Sequence, residues 1–134
     1  MPKILLDTDT CIYIINNKPS YVREMFEKYN ALDIAISSIS LSELIFGIEK
    51  SKYKEQNKNA LQVFLAPLDV LDFGYEQSII YGKLRADLEK NQSLIGSMDM
   101  LIASHALSLG LILVTNNEKD FKKVPKLKVQ NWIK

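Results

Sequence analysis

Five short apolar runs recur along the chain, each closed by a polar or small residue, with longer amphipathic segments between them. Ile4-Leu5-Leu6 ends at Asp7, and Ile34-Ala35-Ile36 ends at Ser37-Ser38. Leu68 to Leu71 follows Pro67, Leu111 to Val114 ends at Thr115, and a weaker run spans Leu127 to Val129. Apolar runs this short match strands covered on both faces, the pattern of a parallel sheet. Between them, Pro19 at a first-turn position opens a helix to about Tyr29, with Asn30 as its stop. Leu41, Leu44, Ile45 and Ile48 follow helical spacing. Residues 52–66 and 75–90 read as helices, and Met98, Leu101, Ile102 and Leu109 line another stripe that Gly110 closes as a C-terminal cap. The alternation predicts an α/β fold with a central, mainly parallel sheet flanked by helices. With no repeat and no linker, residues 1–134 are expected to form one domain, as their number allows.

Composition narrows the class. Hydrophobic residues at 47% and charged residues at 25% exclude a disordered chain. No apolar stretch approaches the roughly 18 residues of a membrane span. The start, Met1-Pro2-Lys3, runs into an apolar run that meets Asp7, unlike a signal peptide. The expectation is a soluble, cytoplasmic protein with no membrane partner. One cysteine, Cys11, excludes an internal disulfide and any multi-cysteine metal site. The net charge of +1 is an average over unlike parts, because 119–134 holds six Lys against one acid, Asp120. That basic tail reads equally well as solvated surface or as a surface for polyanions.

The acids fall in telling places. Asp7 and Asp9 follow the first strand, and Glu43 lies near the start of the helix after the second. Asp99 opens the helix before the Leu111 strand, and Asn116, Asn117 and Asp120 follow that strand. Ligands of open α/β sheets bind at the carboxyl ends of strands, so these side chains can converge there. Taken singly, most have a structural explanation too. Ser40-Leu41-Ser42-Glu43 has the form of a capping box. Asp9 can cap the first helix, Asp99 can interact with its helix dipole, and Asn117 and Asp120 can cap a short last turn. Asp7 is harder to explain, because an acid inside the sheet costs several kcal/mol unless paired or liganded. Gly47, four residues beyond Glu43, leaves open space beside that carboxylate or permits close helix packing.

Converging carboxylates need a cation. Oxygen-only ligands suit Mg²⁺ or Mn²⁺. Such ions activate water and stabilise the charge of an in-line phosphoryl displacement, so the expected reaction is metal-dependent hydrolysis of a phosphate ester or diester. His105, the only histidine, lies in an apolar helical run and reads as a packed, hydrogen-bonded side chain. Cys11 reads as buried and inert. The run Leu6-Asp7-Thr8-Asp9-Thr10-Cys11 also resembles the D-x-D-x-T/V motif of haloacid-dehalogenase-type phosphatases, which would make Asp7 a nucleophile. Its last position is Cys11, and no paired late acids complete that pattern. A non-catalytic RNA-binding module is a further alternative.

Taken together, four segments resemble PIN-domain ribonucleases, in particular the VapC toxins of toxin–antitoxin pairs. They are Leu5 to Asp9, Ser37 to Leu44, Ile95 to Ala103, and Leu113-Val114-Thr115-Asn116-Asn117 to Phe121. The resemblance runs from Ile4 to about Trp132 and implies a PIN-like fold. It puts the family's metal-binding and catalytic acids on Asp7, Glu43 and Asp99, with Asp120 as a fourth and Thr115 and Asn117 in support. The family usually has Asn where this chain has Asp9, an added carboxylate beside the metals. The resemblance further implies an Mg²⁺- or Mn²⁺-dependent endoribonuclease using metal-activated water. Its substrate would be RNA, tRNA and initiator tRNA in the anticodon region above all. The toxin would be a homodimer within a larger complex with a VapB-type antitoxin, whose C-terminal segment enters the active-site groove, and it would reach operator DNA only through that antitoxin. Lys119, Lys122 and Lys123 are placed to track the RNA backbone.

Overall fold

The computed structural model describes residues 2–133; Met1 of the N-terminal run and Lys134 of the basic tail lie outside the described residues. Elements follow in the order β1 (Ile4–Leu6), α1 (Thr8–Asn16), α2 (Ser20–Glu27), a 3₁₀ turn (Ala31–Asp33), β2 (Ile34–Ser37), α3 (Ser38–Glu49), α4 (Lys54–Leu65), β3 (Asp69–Leu71), α5 (Tyr75–Lys90), α6 (Ser97–Leu109), β4 (Ile112–Val114), α7 (Glu118–Phe121) and β5 (Val129–Gln130). The five strands form one sheet in the order β3-β2-β1-β4-β5, and every pairing is parallel. Among the described residues, no helix is long and apolar enough to cross a membrane.

Alternation along β1 divides the core. Ile4 and Leu6 pack with Ile14, Val22, Phe64 and Trp132 on one face of the sheet. Leu5, between them, packs with Leu84, Ile102, Leu113 and Phe121 on the other. Strand side chains point alternately to opposite faces, so an all-apolar run is what a strand sandwiched between two helical layers requires. The edge strand β3 departs from this pattern, because Asp69 and Val70 are exposed and only Leu68, just before it, is buried. It has a neighbour on one side only.

Register then positions the chemistry. Leu6 lies opposite both Ile36 and Val114. One step further, Asp7, Ser37 and Thr115 therefore leave three adjacent strands at the same edge.

Three local expectations change. Pro19 is the residue before α2 rather than a member of its first turn, and Asn30 caps the 3₁₀ turn through its side chain. The cap of α1 is Asp7, not Asp9: its carboxylate accepts from the Thr10 amide. The Ser40–Glu43 capping box does not form either. Helix α3 begins earlier, its cap is Ser37, and Ser40 is buried inside the helix.

Gly110 ends α6 in the left-handed region at φ 66°, turning the chain into β4. A side chain there meets no neighbouring atom, so its cost is conformational alone. Gly110→Ala is expected to lower stability by about 1 kcal/mol, read as a lower urea midpoint at unchanged slope.

Candidate active site

Asp7 occupies the end of the central strand and is 6% exposed. Its amide donates to the Val114 carbonyl at 3.0 Å, continuing the sheet by one residue. One carboxylate oxygen accepts from the Thr10 amide at 2.9 Å, and the other accepts from the Thr115 hydroxyl. The Asn117 amide donates in turn to the Thr115 hydroxyl oxygen at 2.9 Å. Thr10 closes the arrangement by donating its hydroxyl to the Val114 carbonyl at 3.3 Å. The lone acid of the strand is thus paid for by hydrogen bonds from β4 and α1 rather than by a lysine or arginine. Burial still pushes its carboxyl above the ordinary range, against the pull of Thr115 and Thr10, and the neighbouring Asp9 adds to the rise.

Glu43 reaches this edge from α3. Its Oε1 accepts the Thr8 hydroxyl at 2.6 Å, which ties the helix after β2 to the first residue of α1. Asp99 comes from the first turn of α6 and Asp120 from α7. Asn117 joins them, donating from Nδ2 to Asp120 Oδ2 at 3.1 Å and to Asp99 Oδ2 at 3.4 Å. Asp9 is exposed on the first turn of α1.

The electrostatics show how closely these acids gather. Burial first, and then the charges of Asp7, Asp120, Glu43 and Asp9, raise the Asp99 carboxyl to about 6. Five carboxylates from four helical segments act on one edge. Among the described residues, no three of them are already drawn around a single point as a ready-made cage. The donors are all oxygen, the set that hard divalent cations take, and the mutual repulsion is what such a cation relieves.

Every acid expected at the site is therefore at this edge, together with Thr115 and Asn117. The lysines divide. All three are exposed, but Lys122 and Lys123 also pair with Glu118 at 3.8 Å and Asp120 at 3.8 Å. Thr8 and Thr10 are the side chains that sequence reasoning passed over. Their signal was the D-T-D-T repeat itself, which puts a hydroxyl after each acid. Cys11 is fully buried, and burial lifts its thiol well above the ordinary range, so it is inert as expected. His105 is also fully buried and hydrogen-bonded, with Nδ1 2.8 Å from the Ser37 hydroxyl.

Beside Glu43 opens a groove of about 430 Å³ between α1, α3 and α4, lined by Ile12, Ile15, Leu44, Gly47, Ile48 and Leu61 among others. A Cβ built on Gly47 meets nothing, so this glycine borders space rather than a tight helix contact.

A carboxyl held above its unfolded value keeps its proton longer when folded, so this contribution to stability falls as pH rises through the interval between the two values. For Asp99 the interval runs from 3.8 to about 6. In chelator-treated protein, wild type is expected to lose more melting temperature than Asp99→Asn between pH 5 and pH 7.5. Parallel pH profiles for the two proteins would contradict the electrostatic reading.

The family model described as PIN domain matches residues 4–127. The chain is 48% identical over 133 residues to Ribonuclease VapC2 of Rickettsia felis, covering 97% of this chain and 98% of that one. It is 42% identical over 132 residues to the tRNA(fMet)-specific endonuclease VapC of Salmonella typhimurium, covering 98% and 99%. The crystal structure of DNA-bound VapBC from Salmonella typhimurium superposes with a TM-score of 0.93 at 42% identity, over 99% of this chain and 100% of that one. These matches do not favour the phosphatase reading, and an Asp7 with both oxygens engaged is poorly disposed to attack phosphorus. By its sequence, its parallel five-stranded sheet and the acids at that sheet's edge, the chain belongs to the PIN-domain family and, within it, to the VapC ribonucleases.

Proposed function

We propose that residues 1–134 work as a single PIN domain that hydrolyses RNA phosphodiester bonds with the help of one or two Mg²⁺ or Mn²⁺ ions. The observation that carries this reading is the gathering of Asp7, Asp9, Glu43 and Asp120 around Asp99, with Asn117 bonded to both Asp99 and Asp120; burial first, and then those four charges, raise the Asp99 carboxyl. Asp7, Glu43 and Asp99 are the principal holders of the ions, with Asp120 beside them and Asn117 and Thr115 fixing their orientation. An oxygen-only donor set of Asp and Glu carboxylates suits a cation that keeps several waters. A bound ion supplies activation of a water and neutralisation of phosphoryl charge.

The chain's own groups do the rest. Thr115 and Thr10 hold the Asp7 carboxylate in one orientation, and Thr8 does the same for Glu43. Asn117 bridges Asp99 and Asp120 by donating from Nδ2 to both. Asp9, exposed at the rim where the family resemblance implies Asn, adds a negative charge that either tightens cation binding or raises repulsion and slows turnover. Lys119, and Lys122 and Lys123 when released from their acidic neighbours, meet the RNA backbone.

The substrate we infer is tRNA, with initiator tRNA first, because the Salmonella relative is named for tRNA(fMet) and the likeness spans both chains almost entirely. The solved relative is a VapBC complex bound to DNA. We infer accordingly that this chain acts in the cytoplasm as the toxin of a pair and dimerises within a larger complex. It would reach operator DNA only through a VapB-type antitoxin. The groove beside Glu43, in which Asn16, Gln56 and Asn57 join the apolar side chains, is the surface proposed to receive that antitoxin's C-terminal segment.

Purified protein incubated with initiator tRNA and Mg²⁺ or Mn²⁺ is expected to produce a defined cut near the anticodon. Asp7→Asn and Asp99→Asn should slow it by at least about 100-fold, with circular dichroism unchanged. Cutting at the wild-type rate by either variant would overturn the assignment.

A further inference from the structure

The five acids repel one another, yet α3 and α6, which carry Glu43 and Asp99, have to be held at a fixed separation before any cation arrives. Among the described residues, one side-chain hydrogen bond joins α6 to α3 or its cap, that between His105 and Ser37 at 2.8 Å. Both side chains are fully buried. Ser37 is the cap of α3, and its hydroxyl also accepts the Ile39 amide at 3.0 Å. His105 lies mid-way along α6, with Phe73 edge-on to its ring at 5.6 Å.

The spacing is symmetric. Glu43 follows Ser37 by six residues along α3, and Asp99 precedes His105 by six along α6. Six residues of helix rise about 9 Å, so each carboxylate sits on a rigid arm measured from the same bond. Neither residue is among the acids or their direct partners. Among the described residues, Nε2 of His105 is buried and finds no hydrogen-bond partner. A buried polar atom without a partner carries a penalty, which a leucine of similar size would avoid. Keeping the imidazole calls for a gain elsewhere, and among the described residues the one hydrogen bond its ring makes is that of Nδ1 to Ser37.

We propose that His105 is a positioning residue for RNA hydrolysis, setting through Ser37 the separation of Glu43 and Asp99 and hence the strength of cation binding. This inference rests on the metal-dependent reading of the site. Its reach is expected to match that of groups that orient metal ligands from behind, whose loss costs about 10–100-fold in affinity.

Substitution at His105 separates the bond from the packing. Asn can place an amide where Nδ1 stands, Gln places its amide at the Nε2 position, and Leu fills the space without polar atoms. Mn²⁺ binding to chelator-treated full-length protein, measured by calorimetry with the metal alone, is the primary readout, with thermal melts and tRNA cleavage beside it. The expected result is affinity within about threefold of wild type for His105→Asn and a loss of about 10-fold or more for His105→Leu and His105→Gln. The His105→Leu protein should melt cooperatively, and its cleavage should recover as Mn²⁺ is raised. Affinity of His105→Leu or His105→Gln equal to wild type would overturn the proposal, as would an equal loss in His105→Asn. If His105→Leu does not fold, the Asn and Gln pair decides by the same criterion. Wild type and Asp99→Asn are run alongside: if the two bind Mn²⁺ alike, it is the metal reading itself that fails, a result distinct from any ranking among the His105 variants.

Discussion

Asp7 ends the central strand, caps the first helix and keeps a carboxylate where burial penalises its charge. Its backbone continues the ladder to β4, one oxygen holds the Thr10 amide, and the other holds the Thr115 hydroxyl. Losing its side-chain oxygens would leave the start of α1 and a buried hydroxyl without their partners. Leaving the carboxylate in place imposes the opposite difficulty, because further acids arrive at the same edge. The remainder of the site is a set of answers to that difficulty. Thr8 engages Glu43, Asn117 stands between Asp99 and Asp120, and Lys123 pairs with the outer oxygen of Asp120. None of these cancels the negative charge, whose repulsion adds to burial in raising the Asp99 carboxyl.

This explains why apolar packing is so regular beneath the edge. Ile4, Leu5 and Leu6 are all but completely buried, alternating between the two layers. Each such side chain contributes roughly 1.5–3 kcal/mol on burial. A core of this kind can carry a repulsive cluster at one edge without losing the fold, and the cluster is then available for a cation. The same edge lies between the strands that flank β1 on either side, the place where parallel sheets open to ligands.

Much of this was legible in the sequence because the strands are short and wholly apolar, so the residue ending each one stood out. Asp7, Ser37 and Thr115 were marked in that way, and Gly110 marked the end of α6. What escaped was decided by contacts remote in the chain. The Ser37-to-Glu43 segment holds overlapping cap signals at Ser37, Ser38 and Ser40, and local pattern favoured Ser40 with Glu43. Ser37 takes the cap while its hydroxyl also meets His105, 68 residues on, and Glu43 is then free to engage Thr8 across a different element. Charge pairing within the basic tail was likewise not legible: Lys122 and Lys123, still exposed, lie 3.8 Å from Glu118 and Asp120 within one turn of helix. The separation of the acids, as opposed to their company, had no sequence signal at all.

If the gathered carboxylates are a cation site, binding must displace the proton that burial and repulsion together keep on Asp99. The most direct test is proton release on adding Mg²⁺ or Mn²⁺ to chelator-treated protein, followed in weakly buffered solution. With the Asp99 carboxyl at about 6, about half a proton per molecule should be released near pH 6, falling toward none by pH 8. Saturable release that follows this pH course, and that disappears in Asp99→Asn, is the expected result. No saturable release at pH 6, or an equal release from Asp99→Asn, would contradict a cation site built on these carboxylates.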